Sequence, residues 1–129
     1  MKSEENLKVC NDSIKGGHYN AAASRYYYAL RLAVQALFEV RNIPVPWITK
    51  YNGKKVQEWT HPQLFRMAAV EIAIEGKNTR QLLERAGRYR IKADYEQIPV
   101  LESEITDLVR QSIEIFQVIS DELKRETPE

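Results

Sequence analysis

The chain is short of most residues on which specialised chemistry is built. Its 129 residues include one cysteine, Cys10, and two histidines, His18 and His61. A lone thiol forms no internal disulfide, and so few soft ligands argue against a zinc site of the usual thiolate and imidazole kind. Glycine and proline are sparse, five of each. There is no glycine-rich phosphate loop, no nucleophile elbow, no paired HExxH histidines and no calcium loop. Neither sign of charge dominates: 19 Lys and Arg against 18 Asp and Glu leave a net charge of +1. No overall pull towards nucleic acid or a membrane surface is therefore encoded, and an anion site must come from local clustering. No stretch reaches the roughly 18 uninterrupted apolar residues of a membrane span, and the opening MKSEENLKVC has no apolar run of signal-peptide length. The expectation is a soluble, cytoplasmic protein without metal or cofactor.

What is present is helical. The composition, 43% hydrophobic and 29% charged, is that of a folded chain, and the length suits one compact domain. The dominant stretch is Tyr19 to Arg41, YNAAASRYYYALRLAVQALFEVR. Its polar residues Asn20, Ser24, Arg31, Gln35 and Glu39 recur at helical spacing on one narrow stripe, and apolar residues fill nearly all the rest. Such a helix must be covered on most sides, with Ala29, Ala33 and Leu37 in the core. The wheel puts Arg25 about 100° from Ser24, among Ala21, Ala29, Leu32 and Ala36, a permanent cation on an apolar side.

A first helix is expected over Ser3 to Lys15, stopped by Gly16-Gly17 and folded back against the second. Between Asn42 and Thr60 the pattern breaks at Pro44 and Pro46, and Asn52-Gly53 signals a turn, so residues 44–58 read as a loop or small hairpin. There Lys50, Lys54 and Lys55 interleave with Trp47, Tyr51 and Trp59, a mix that could stack on and neutralise nucleic acid. The plainer reading has the aromatics pin the loop to the core. Thr60 and Pro62 open a third helix running to Gly76, and Asn78 or Thr79 caps a fourth. In the fourth, Leu82, Leu83, Ala86, Tyr89 and Ala93 face one way with Arg90 in the same arc, while Arg85, Arg88 and Lys92 share a wet, basic face. A last amphipathic helix runs from Pro99 to about Lys124. The fold class is all-α, an up-and-down antiparallel bundle of about five helices over residues 1–125, followed by a tail at 126–129.

The polar groups that could carry chemistry are Arg25, Tyr27 and Tyr28 in SRYYYA, and Arg90, Asp94 and Tyr95 in RIKADY. Arg90 and Asp94 are four residues apart and can form a charge-assisted pair on one helix. Either these arginines are satisfied within the core or a dimer seam, or they bind a ligand. Arg25, Tyr28, Arg90, Asp94 and Tyr95 are the candidate ligand-binding residues, and Arg90, Asp94 and Tyr95 the candidates for any catalysis.

These two segments carry a resemblance. The order of a short helix, GHYNAAASRYYYALRLAVQALFE, an H-P-containing helix start, RIKADY and a final amphipathic helix ending in DEL resembles the HEPN superfamily. The similarity is to its small stand-alone members with S-R-x-Y-Y-A and R-x-x-A-D-Y segments. It implies a helical bundle, commonly a homodimer, with a cleft for RNA or a nucleotide, often encoded beside a minimal nucleotidyltransferase in a toxin and antitoxin pair. Ribonucleolytic members carry an arginine followed after four to six residues by a histidine. Here the position five after Arg90 is Tyr95, and neither His18 nor His61 has an arginine at that distance upstream. A tyrosine near its ordinary pKa of about 10 exchanges protons poorly at pH 7. The leading expectation is thus a dimeric nucleotide-, RNA- or partner-binding protein of a toxin and antitoxin or defence module. The alternatives are an active metal-independent endoribonuclease and a purely structural dimerisation module.

Overall fold

The computed structural model describes residues 2–95 and 99–126. The elements are α1 (Lys2–Lys15), α2 (Tyr19–Val40), β1 (Trp47–Thr49), β2 (Lys55–Gln57), α3 (His61–Glu71), α4 (Thr79–Tyr95) and α5 (Glu102–Glu126). The all-α bundle is therefore formed. Of the expected tail, residues 127–129 lie outside the described residues.

Helix α2 is the axis of the bundle and meets each of the other four helices. Ten of its side chains are buried, including Ala29, Ala33 and Leu37 as expected from the wheel. Its alanines hold the neighbouring backbones close, and each large side chain packed between them contributes about 1.5–3 kcal/mol. Tyr26 is fully buried, and its hydroxyl is hydrogen-bonded to Ser112 of α5. That pairing accounts for a serine in the middle of the apolar α5 stripe of Ile105, Leu108, Ile115 and Ile119, all buried. Cys10 of α1 is buried too, and burial pushes its thiol up to about 12, so it is an inert packing residue.

The turns follow local chemistry. Gly17 adopts φ +79° after α1, where a side chain would be strained. Helix α2 closes with Asn42 at φ +57°, its N–H on the Glu39 carbonyl and that of Ile43 on the Phe38 carbonyl, a Schellman ending with asparagine in place of glycine. The hairpin forms with Ile48 opposite Val56 and Gly53 at φ +80° in its turn. Of the three aromatics expected to pin this region, Trp59 does so, against Phe38. Trp47 and Tyr51 stand in solvent.

Two boundaries differ from the expectation. Helix α3 begins with the foreseen capping box of Thr60 and Gln63 but ends at Glu71 rather than Gly76. The carbonyls that a further turn would use are taken by tertiary partners: Arg41 binds that of Glu71 and Thr79 Oγ1 that of Ile72. Helix α5 begins at Glu102, not Pro99; the segment before it is tied to α2, the Val100 N–H donating to Asn20 Oδ1 at 2.7 Å.

Candidate functional site

Much of the polar stripe of α2 is engaged by other elements, although Asn20 and Glu39 at its ends are exposed. Asn20 binds Val100, Ser24 Oγ donates to Asp94 Oδ1 of α4, and Arg31 donates to the Trp59 carbonyl at 2.7 Å and to the Tyr27 hydroxyl at 3.2 Å. The stripe is the seam along which α2 receives α4 and the start of α3. Tyr27 and Tyr28 flank it, and Arg90 arrives from α4.

Arg90 sits in an aromatic enclosure. Its guanidinium carbon lies 5.2 Å from the Tyr27 ring centre, 5.6 Å from that of Tyr28 and 5.3 Å from that of Tyr95, within the range of cation–π attraction. Nη2 donates to the Tyr28 hydroxyl at 3.2 Å and to the Tyr95 hydroxyl at 3.4 Å, both long for such bonds. Nε is 3.1 Å from Asp94 Oδ2, yet its buried N–H has no hydrogen-bond partner among the described residues. The carboxylate therefore attracts the charge without lying along the N–H direction. Burial works against the charge on Arg90, and its hydrogen bond to the Tyr28 hydroxyl with the nearby phenol oxygens outweighs it, so the guanidinium is held more firmly charged.

The spacing within each helix accounts for the convergence. Ser24, Tyr27, Tyr28 and Arg31 are three or four residues apart on α2, and Arg90 and Asp94 are four apart on α4, so each set rises on one face. Of the sequence-derived candidates, Tyr28, Arg90, Asp94 and Tyr95 come together. Arg25 does not: it is exposed and its Nη1 donates to Asn6 of α1 at 3.3 Å. One residue of helical rotation separates Ser24, which meets α4, from Arg25, which meets α1. The expected wet basic face of α4 is corrected in part: Arg88 is exposed, but the other two are not free. Arg85 pairs with Asp107 and Lys92 with Glu104 of α5, and Arg85 and Arg110 hold the Asp107 carboxyl at about 2. Those cations are spent within the bundle.

His61, passed over in the sequence because no arginine precedes it at the right distance, is part of this cluster. Its ring stacks on Tyr27 at 5.3 Å, and Nδ1 shares a hydrogen bond of 2.8 Å with the Tyr27 hydroxyl. Since Arg31 already donates to that oxygen, the phenol proton is free to point at His61, leaving its hydrogen on Nε2. Nε2 lies over Gly87: a Cβ built there would stand 2.3 Å from His61 Cε1 and 2.6 Å from Nε2. Burial chiefly, then the charges of Arg31 and Arg90, push the imidazole below its ordinary value, so it is neutral at pH 7. The sequence signals for it were the histidine at a capped helix start and a glycine inside a helix otherwise free of them.

Next to the cluster, a groove of about 800 Å³ runs between α2 and the hairpin, with Arg31 and Gln35 on one wall, Gln57 and Glu58 on the other and Phe38 and Trp59 among its lining. Arg31 belongs to both. No His, Cys, Asp or Glu cluster fit to hold a metal ion occurs among the described residues. No helix among them is long and apolar enough to cross a membrane.

No curated protein matches the chain, and no solved structure does. The family model for the HEPN domain matches residues 1–123, a span that takes in the bundle and every member of the Arg90 cluster, and the chain belongs to the HEPN domain family.

Proposed function

We propose that the protein binds the phosphate of a nucleotide or RNA at Arg90 and does not cleave RNA efficiently. Membership of the HEPN family implies a function connected with nucleotides or RNA. The observation that carries the reading is how Arg90 is satisfied. Its two phenol contacts, both through Nη2, are long, so an incoming phosphate can take over that donor without breaking a strong hydrogen bond. The phenols of Tyr28 and Tyr95 can rotate to donate to the same anion. Exposed Tyr95 also offers a ring for a base.

Cleavage through the 2′-hydroxyl needs a group that gives and takes a proton near neutrality. The endoribonuclease alternative gains one new candidate in His61, which lies in the cluster. Its Nδ1 is engaged by Tyr27 and its Nε2 packs over the α4 backbone, a placement suited to holding Tyr27 rather than to meeting a substrate. Binding without turnover suits one half of a toxin and antitoxin or defence pair, with a minimal nucleotidyltransferase as the partner. In that reading the protein is a homodimer with the Arg90 cleft near its two-fold axis.

The experiment is calorimetry with nucleoside triphosphates and short RNA, beside an RNA-cleavage assay in chelator. Wild-type protein is expected to bind and to leave the RNA intact. Arg90→Ala should lose about 10- to 150-fold in affinity, the worth of a hydrogen bond to a charged group at roughly 1.5–3 kcal/mol. Rapid cleavage in chelator that His61→Ala or Arg90→Ala abolishes would replace this reading with the endoribonuclease.

A further inference from the structure

We propose that the β1–β2 hairpin and its tip are a second binding site, for single-stranded nucleic acid, in which Trp47 and Tyr51 stack on bases and Lys54 and Lys55 contact phosphates. The site makes no use of Arg90 and goes beyond the reading above.

The register sets Trp47 opposite Gln57 and Thr49 opposite Lys55. Side chains alternate across a strand, so these four share one face, and all four are exposed, while Ile48 and Val56 turn inward. Trp47 is 67% exposed and Tyr51 fully so, although each would gain free energy by burial. The residues from Lys50 to Lys55 include three lysines and no acid. Lys50 reaches Glu58 at 3.3 Å, whereas Lys54 and Lys55 have no ion-pair partner among the described residues. Arg41, Arg80, Arg85, Arg90, Lys92 and Arg110 of the bundle are in ion pairs, while other cations such as Lys8, Lys15 and Arg88 are exposed on helix surfaces. What sets the hairpin apart is that open lysines stand beside two exposed rings.

That combination selects the ligand. A protein partner would bury Trp47 within an apolar surround, but its neighbours on this face are threonine, lysine and glutamine. Base stacking needs only a free ring face with a cation nearby, and the bases must be unpaired to reach it. Trp47 stands on β1 and Tyr51 in the turn beyond it, two stacking positions that an oligonucleotide would span. The hairpin is tied to the rest of the chain: Glu58 N–H donates to the Pro46 carbonyl at 3.2 Å, and the adjoining Trp59 is buried. Changes to the outward side chains should therefore leave the fold intact.

The test is fluorescence anisotropy with fluorescein-labelled U12 and dT12 at 50–200 mM salt, with circular dichroism of every variant. Wild-type protein should bind the oligomers and lose tryptophan emission, chiefly from Trp47, since Trp59 is buried. Trp47→Ala/Tyr51→Ala should weaken binding at least 10-fold, and again by a similar factor in an Arg90→Ala background, which separates this site from the one above. Lys54→Gln/Lys55→Gln should weaken it and flatten the log–log salt slope by about 1.4, two contacts at roughly 0.7 each. Lys8→Gln/Lys15→Gln, the same loss of charge on α1, should stay within twofold. The proposal is overturned if neither oligomer binds at 50 mM salt, or if folded hairpin variants bind as wild type. It is overturned equally if the variants fail to bind a co-purifying protein while the oligomers never bind, which would make the hairpin a protein contact.

Discussion

Two arginines, Arg41 at the end of α2 and Arg90 on α4, have nearly the same side-chain exposure, 26% and 23%, and opposite surroundings. Arg41 is saturated with carboxylate. Its Nε donates to Glu122 at 2.6 Å, its Nη2 to the other oxygen of that carboxylate at 2.5 Å, and its Nη1 to Glu71 at 2.9 Å and to the Glu71 carbonyl at 2.8 Å. It clamps α2, α3 and α5 together and has little left for a ligand. Arg90 is enclosed by tyrosine rings, touches its one carboxylate off-axis and keeps an unused N–H. Exposure alone does not mark an anion site. What marks it is whether the guanidinium is satisfied by partners that an anion can displace or supplement.

The largest expected effect breaks the clamp. Arg41→Ala should lower unfolding free energy by about 3 kcal/mol, since it removes several charge-assisted bonds and leaves Glu71 and Glu122 unpaired. Urea denaturation reads this, and ligand affinity should not change. At Arg90 the pattern should invert, with Arg90→Ala losing about 2 kcal/mol of binding and less than about 1 kcal/mol of stability. Equal stability losses at both positions would erase the distinction.

Gly87→Ala sharpens the comparison from the α4 side. The added methyl meets His61, whose ring is held by Tyr27 and Phe65, so overpacking of about 1–3 kcal/mol should exceed the gain of about 1 kcal/mol in helix propensity. Combining it with His61→Ala should recover stability if the clash is the cause, and equal losses in single and double variants would refute that.

The smallest effect is in pH. His61 is depressed below its ordinary 6.5, so the folded state resists protonating it. Its contribution is complete above about pH 6.5 and declines as pH falls towards the folded value. Glu122 is held below 4.5 by the hydrogen bonds from Arg41, so the clamp is lost only at lower pH, below the ordinary value of that carboxyl. Denaturant midpoints between pH 7.5 and 3 should thus fall in two stages. His61→Gln should remove the upper stage alone, and a midpoint indifferent to that change would dismiss the role given to His61.

Much of the bundle was legible in the residues themselves. Apolar periodicity, the glycine pair after Lys15, the Thr60 capping box and the Asn52-Gly53 turn are local signals, and local geometry answered them. Arg90 with Asp94 was legible for the same reason, because four residues of helix bring them together whatever surrounds them. Helix ends were not. Where α3 stops depends on Arg41 and Thr79 reaching its carbonyls.

By itself, then, the sequence determined the helices, their inward faces, the family, and the i, i+4 pair at Arg90. Only the tertiary structure decided which polar residues share a site. It excluded Arg25, whose neighbour on the wheel meets α4 while it meets α1. It brought in His61, 29 residues before Arg90, through a glycine that lets α3 and α4 approach. It also spent the Arg85 and Lys92 charges on α5 and left those of Lys54 and Lys55 open. The physical reason is that periodicity fixes directions around one helix, whereas partners are set by the rotation and approach of the next, which no local pattern encodes.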